Sequence, residues 1–358
     1  MSSTTKKGGS AKVWSDRETV LVAGAAGKLG IYIMGMLQRC APNNIFSGLG
    51  DPRGLVAGPK SAAMLNSGLG SSFVGAFAHE SMMRLVDWDD EASLLASFQG
   101  TSLAAGPSCL VVGTRYSRLP IAAKNGLASQ FDYCLDGCPA GVGAFGPKDA
   151  HGSLDASSHA ARLQLLLRTA AHPDTAVRHM ACVEVPGTTA GERAEALAAL
   201  AEAAAAKGCG ATYLQTVGGC SGGDGGGEGG GGGAAVDCAV NLNWRFTDGF
   251  PATAGGLQVQ ITEGLSAAAA EEAAAAAASG ADGSGSDGGA VAGAALSDVA
   301  AAVVECIQAL PWDQSRIVTL AGASEAGEVW PPPCDDDSAK VWLVGSSRVE
   351  AAVQAAIR

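Results

Sequence analysis

The 358-residue sequence predicts an α/β fold: a doubly wound, mostly parallel sheet with helices on both faces, interrupted by low-complexity Gly/Ala insertions. Three observations carry that expectation. Strand-like apolar runs alternate with helical patterns along most of the chain, the mark of βαβ units. The run Cys109-Leu110-Val111-Val112 is apolar at every position, as a strand covered on both faces must be. Strand and helix signals also resume after each glycine-rich stretch, which makes those stretches insertions within one domain.

The elements follow in order. Val20 to Ala23 is a short apolar strand that ends at glycine. A helix over 28–40 follows, with Ile31, Met34, Leu37 and Gln38 at helical spacing, and Pro42 ends it. Asn44 to Leu49 reads as a second strand, closed by Gly50-Asp51-Pro52. Ser81 to Val86 is a third, followed by a helix over 91–98. Ser108 to Gly113 is the fourth strand, and 114–153 reads as a loop with a Gly- and Pro-rich centre. Leu154 to Ala171 is a helix that turns Leu163, Leu166 and Leu167 to one side, stopped at His172-Pro173. Val177 to Val185 is the fifth strand, Glu192 to Lys207 an alanine-rich helix ending at Gly208, and Ala211 to Val217 the sixth strand.

Beyond Val217 the pattern is interrupted. The segment 218–235 is mostly glycine and reads as flexible, as does 279–294. Between them, 256–262 alternates like a strand and 265–278 is an alanine-rich helix. A helix over 297–310 ending at Pro311 and a strand over 315–320 complete the domain, expected to span 18–325. Residues 1–17 form a tail, and 326–358 an extension with a strand over 340–345 and a helix over 348–357.

Composition excludes several classes. The net charge is −12 and Lys6-Lys7 is the longest basic cluster, which disfavours nucleic acid, since neutralising phosphates needs clustered Lys and Arg. No apolar run reaches the roughly 18 residues of a membrane span, and residues 1–12 lack the apolar core of a secretion signal. The ten cysteines are scattered. The nearest pair, Cys134 and Cys138, has no matching second pair, so no metal site is expected and the thiols read as reduced and buried. Alanine and glycine homopolymers of the kind met in GC-rich nuclear genomes direct the localisation expectation to the chloroplast stroma, with the cytoplasm as alternative.

The chemistry-bearing motif is Gly24-Ala25-Ala26-Gly27-Lys28-Leu29-Gly30. A pyrophosphate binds best where bare N–H groups point at it from the start of a helix. In a G-x-x-G-x-x-G run the first glycine allows the sharp turn, the second the close approach of the phosphates, and the third tight helix–strand packing. Here the run leaves a strand and opens a helix, the context it requires. Asp51 lies 21 residues after Gly30, near the spacing of about 20 at which an acid takes the adenosine ribose hydroxyls. Arg53, two residues on, would instead meet the 2′-phosphate of NADP. NAD and NADP both stand.

These residues resemble the atypical short-chain dehydrogenase/reductases, the NAD(P)H-binding, NmrA-like group. That family's second strand often ends in Arg-Asp-Pro, matched by Gly50-Asp51-Pro52. Its third ends in Gly-Asp-x-x-Asp beside the adenine, matched by Val86-Asp87-Trp88-Asp89-Asp90. Its fourth ends in small residues beside the nicotinamide ribose, matched by Val112-Gly113-Thr114. Its Ser-x-x-Asp-Val-Ala helix start is matched in part by Ala295 to Ala300. The resemblance is close over the first 115 residues and loose to 325. It implies a Rossmann fold and cofactor contacts from Gly24, Ala26, Gly27, Lys28, Leu29, Gly30, Asp51, Arg53, Asp87, Trp88, Gly113, Thr114 and Arg115.

The chain departs from the wider superfamily in its proton donor. That superfamily uses Tyr-x-x-x-Lys, the lysine lowering the pKa of the tyrosine. None of Tyr32, Tyr116, Tyr133 and Tyr213 has lysine four residues later. Where that helix should begin, Thr188 or Thr189 can cap it, and Glu192 and Arg193 read as a solvated helix start. Tyr116, between Arg115 and Arg118, is the one candidate catalytic donor, and His179 reads as a core residue. Two functions follow from the resemblance. One is an NAD(P)(H)-binding protein with a degenerate catalytic site, serving as a structural, assembly or redox-sensing subunit of a larger complex. The other is an NAD(P)H-dependent reductase of a carbonyl or quinone with a non-standard donor.

Overall fold

The computed structural model describes residues 19–23, 33, 37, 45–50, 83–85, 90–100, 106–114, 117–121, 130–134, 156–184, 188–217, 220–221, 257–280, 294–322 and 349–358. The strands are β1 (Thr19–Ala23), β2 (Ile45–Gly50), β3 (Met83–Leu85), β4 (Cys109–Gly113), β5 (Ser117–Ile121), β6 (Gln130–Cys134), β7 (His179–Val183), β8 (Gly210–Val217), β9 (Cys220–Ser221), β10 (Leu257–Glu263), β11 (Ala294–Ala295) and β12 (Arg316–Gly322). The helices are α1 (Glu91–Ser97), α2 (Ala156–Ala170), α3 (Ala190–Lys207), α4 (Ala267–Gly280) and α5 (Leu296–Ala309), with α6 over 349–357.

Among these residues an eight-stranded sheet runs in the order β3-β2-β1-β4-β7-β8-β12-β10. All pairings are parallel except the last, β12 with β10. The chain moves outward from β1 to β3, then crosses back to β4 on the other side of β1. The order therefore reverses between β1 and β4, as in a doubly wound Rossmann sheet. Strands β1, β4 and β7 are buried at every position, because helices cover both faces. Side chains alternate along β7: Glu184 just past its end meets Arg193 of α3 on one face, and His179 meets Trp312 beyond α5 on the other.

The helices bury small residues. In α3 the buried set is Ala196, Leu197, Ala199, Leu200, Ala203 and Ala204, spaced as one helical stripe. Thr189 and Glu192 form a reciprocal capping box at its start. Gly208 ends it at φ 70°, a left-handed position that glycine adopts without a Cβ clash. Val299 to Gln308 of α5 are all buried, and Val349 and Val353 of α6 join the same core. Of the predicted helix at 28–40, Ile33 and Leu37 are described, and both are helical and buried.

One expectation is corrected. Within 114–153, read as a loop, β5 and β6 form an antiparallel pair that places Arg118 opposite Tyr133. Pro120 in β5 hides this strand from the sequence. In a two-stranded ribbon each strand is an edge, where a proline's missing N–H is tolerated. The margins of the two glycine-rich insertions also meet, β9 pairing in parallel with β11.

Candidate functional site

Ligands of open α/β sheets lie beyond the carboxyl ends of the strands, at the point where the strand order reverses. Parallel register brings those ends to one edge: Ala23 lies beside Leu49, Gly50 beside Leu85, and Gly113 beside Val183. Gly24, the first residue of the glycine run, therefore follows the last residue of β1 at the switch point, and Asp51 follows the last residue of β2.

Of the predicted site residues, Gly113 and Thr114 are described. Gly113 closes β4, and the Thr114 N–H continues the ladder by donating to the Val183 carbonyl at 3.0 Å. Thr114 is buried, and its hydroxyl lies 2.7 Å from that of Thr188 at the entry to α3. Gly24, Ala26, Gly27, Lys28, Leu29, Gly30, Asp51, Arg53, Asp87, Trp88, Arg115 and Tyr116 lie outside the described residues. Asp90, at the end of the Asp87 motif, caps α1 by accepting from the Ala92 N–H at 3.0 Å.

The same edge carries a charged cluster that the sequence reading missed. Glu184, directly after β7, has a side chain only 6% exposed. Arg193 grips both its oxygens, Nε donating to Oε2 at 2.8 Å and a terminal nitrogen to Oε1 at 2.6 Å. Tyr213, on the neighbouring strand and fully buried, donates its hydroxyl to Oε2 at 3.3 Å. Arg193 is therefore not the solvated helix start its sequence implied: its side chain is 22% exposed and committed to a buried carboxylate. Glu192 is committed as well, to the capping box. The available signal was an acid ending a mostly apolar strand, since a buried carboxylate requires a partner. Of the two capping candidates, Thr189 takes the role and Thr188 bonds Thr114.

The electrostatics follow from burial. Glu184 holds Arg193 firmly charged through their hydrogen bonds. Burial first, then the Glu184 charge, push the Tyr213 hydroxyl and the Cys182 thiol far above their ordinary ranges. Tyr213 is thus a neutral donor held in a clasp with Glu184. The Cys306 thiol is pushed up to about 12, chiefly by burial; Cys109 and Cys182 are buried too, whereas Cys209 is half-buried. Beside Thr114 a shallow crevice opens between α2 and α3, lined by Gln164, Glu192 and Glu195. His179 is a core residue, as its strand context predicted. It is 1% exposed, with Nε2 3.0 Å from the Thr212 hydroxyl and its ring stacked on Trp312 at 5.7 Å.

No protein-family model matches the chain, and no curated protein matches it. Among solved structures it is similar to the triphenylmethane reductase of Citrobacter sp. complexed with NADP(H). The match has 14% identity and a TM-score of 0.30, over 55% of this chain and 48% of that one. It is also similar to AtPrR2 with NADP+ and (+)pinoresinol, at 14% identity and a TM-score of 0.32, over 57% and 51%. The chain spans about half the length of either. The fold assignment rests on the strand order above and not on these likenesses.

Proposed function

We propose that this chain binds NAD(H) or NADP(H) at the carboxyl edge of its sheet, with the pyrophosphate on the Gly24–Gly30 run. The observation that carries the reading is the reversal of strand order between β1 and β4, with a G-x-x-G-x-x-G run leaving the carboxyl end of β1. Those are the two conditions a dinucleotide site of this architecture needs, topology and phosphate loop. The two similar structures named above were solved with NADP(H) and NADP+, which agrees with that class of ligand.

The role proposed is that of a structural, assembly or redox-sensing subunit. The chain lacks Tyr-x-x-x-Lys, and where α3 begins the structure places a capping box and an ion pair. The side chains of both are engaged with one another, and the Tyr213 hydroxyl is engaged by Glu184. Among the described residues no helix is long and apolar enough to cross a membrane.

The test is a titration of NADH and NADPH, followed by protein fluorescence, against the wild type and Gly27→Trp. A side chain at Gly27 would occupy the pyrophosphate position, so binding should disappear while the melting temperature holds. Equal affinity of the two proteins would defeat the reading.

A further inference from the structure

We propose that Glu184, Arg193 and Tyr213 form a positioning cluster that fixes the first turn of α3 as the wall against which the nicotinamide half of the dinucleotide rests. The proposal rests on the dinucleotide reading above. With the pyrophosphate at the switch point, the adenosine half would turn toward the end of β2. The other half would lie over the edge of β4 and β7. That edge is built from Thr114, Glu184 and residues 188–193.

Residues 188–193 are tied at both ends. Thr188 is held to the end of β4 through Thr114, at 2.7 Å between hydroxyls. Arg193 is held to the end of β7 by two hydrogen bonds to Glu184, and Tyr213 fixes that carboxylate from β8. Between them Thr189 and Glu192 close the capping box. Stability alone does not call for such a pair, because apolar residues of similar volume are often at least as stabilising in its place. What a two-point Arg–carboxylate contact supplies is a single orientation, here of a helix start facing the ligand edge. None of the three is placed against a reacting atom. They act through the α3 backbone and Thr188, as positioning residues.

The experiment compares two ligands that share the adenosine and phosphate groups. ADP probes the loop and the adenosine side. NADH probes both halves (adenosine 2′,5′-bisphosphate and NADPH serve if the phosphorylated form is the one bound). Arg193→Met and Tyr213→Phe should each bind ADP as the wild type does but lose roughly tenfold in affinity for NADH. The fluorescence of NADH bound to these variants should move toward that of the free cofactor. Tyr213→Phe removes a single hydroxyl and keeps the test open if Arg193→Met does not fold. Equal losses for both ligands would make the cluster merely structural and overturn the proposal, as would no loss for either. A wild type that binds neither ligand would instead remove the dinucleotide reading, and the proposal with it.

Discussion

The two edges of the sheet are held by different chemistry. At the amino edge the contacts are almost all to backbone and aromatic groups. Lys207 donates to the carbonyls of His172 and Thr175, both at 2.8 Å. The Gly210 N–H donates to the Trp312 carbonyl at 2.9 Å, and the Thr19 N–H to the Ser108 hydroxyl at 3.1 Å. Trp312 lies between the His179 ring and the Arg178 guanidinium, which sits 5.2 Å from the indole centre. At the carboxyl edge the ties are a buried ion pair, a threonine pair and a capping box. Contacts that engage backbone and exclude water add stability without specifying a ligand. Charged groups held in one orientation cost desolvation and supply geometry. The difference teaches that the amino edge is tied mainly through backbone, and the carboxyl edge through charged and hydroxyl groups held in one orientation.

The sharpest way to break this comparison is at Gly210. A Cβ there would lie 2.6 Å from the Trp312 carbonyl oxygen and closer still to the Gln314 backbone. Backbone cannot swing aside as a side-chain tip can, so Gly210→Ala should cost about 3 kcal/mol or more. Denaturant unfolding would read the loss. The folded fraction should keep the wild-type ratio of ADP to NADH affinity, since the change is at the edge away from the site. A shift in that ratio would show the two edges to be coupled.

Acid attacks the amino edge next. His179 is held at about 4 rather than 6.5, by burial above all, with the Arg316 charge acting in the same direction. An unfolded chain therefore takes up a proton that the folded chain refuses. This contribution to stability is complete above pH 6.5 and is lost as pH falls toward 4, by roughly 3 kcal/mol in all. Unfolding free energies measured at several pH values across that window should fall for the wild type and stay flatter for His179→Gln. Parallel curves for the two proteins would place the acid sensitivity elsewhere.

The smallest effect belongs to the carboxyl edge. Thr189→Ala removes the capping hydroxyl that receives the Glu192 N–H and should cost about 1 kcal/mol. On a domain of this size that is a fall of roughly 2–4 °C in melting temperature. Because Thr188 and Arg193 still anchor the turn, NADH affinity should change little. A large loss would move the positioning role from the ion pair to the cap.

Much of the fold was legible in local pattern. Wholly apolar β4, the leucine stripe of α2, and the glycine that ends α3 are each decided within a few residues, by periodicity and backbone freedom. The ribbon of β5 and β6 was not legible: local rules count a proline such as Pro120 against a strand, and its pairing opposite Phe131 places it on an edge, where a proline is admissible. The candidate site was legible in part. Gly113 and Thr114 stand at the end of β4, where their small size at the close of an apolar run suggested.

The sequence by itself determined most strands of the main sheet, the helices between them, and which of their ends carry glycine, acid or hydroxyl. Tertiary structure alone decided who meets whom. Glu184 and Arg193 are nine residues apart, Tyr213 lies 29 beyond Glu184, and Thr114 lies 74 from Thr188. No periodicity couples such positions. Arg193 reads as a surface charge until the sheet sets β7 beside β8 and α3 folds back over both. A side chain's role there depends on the burial and the partner that packing imposes, and neither is a property of the residues next to it in the chain.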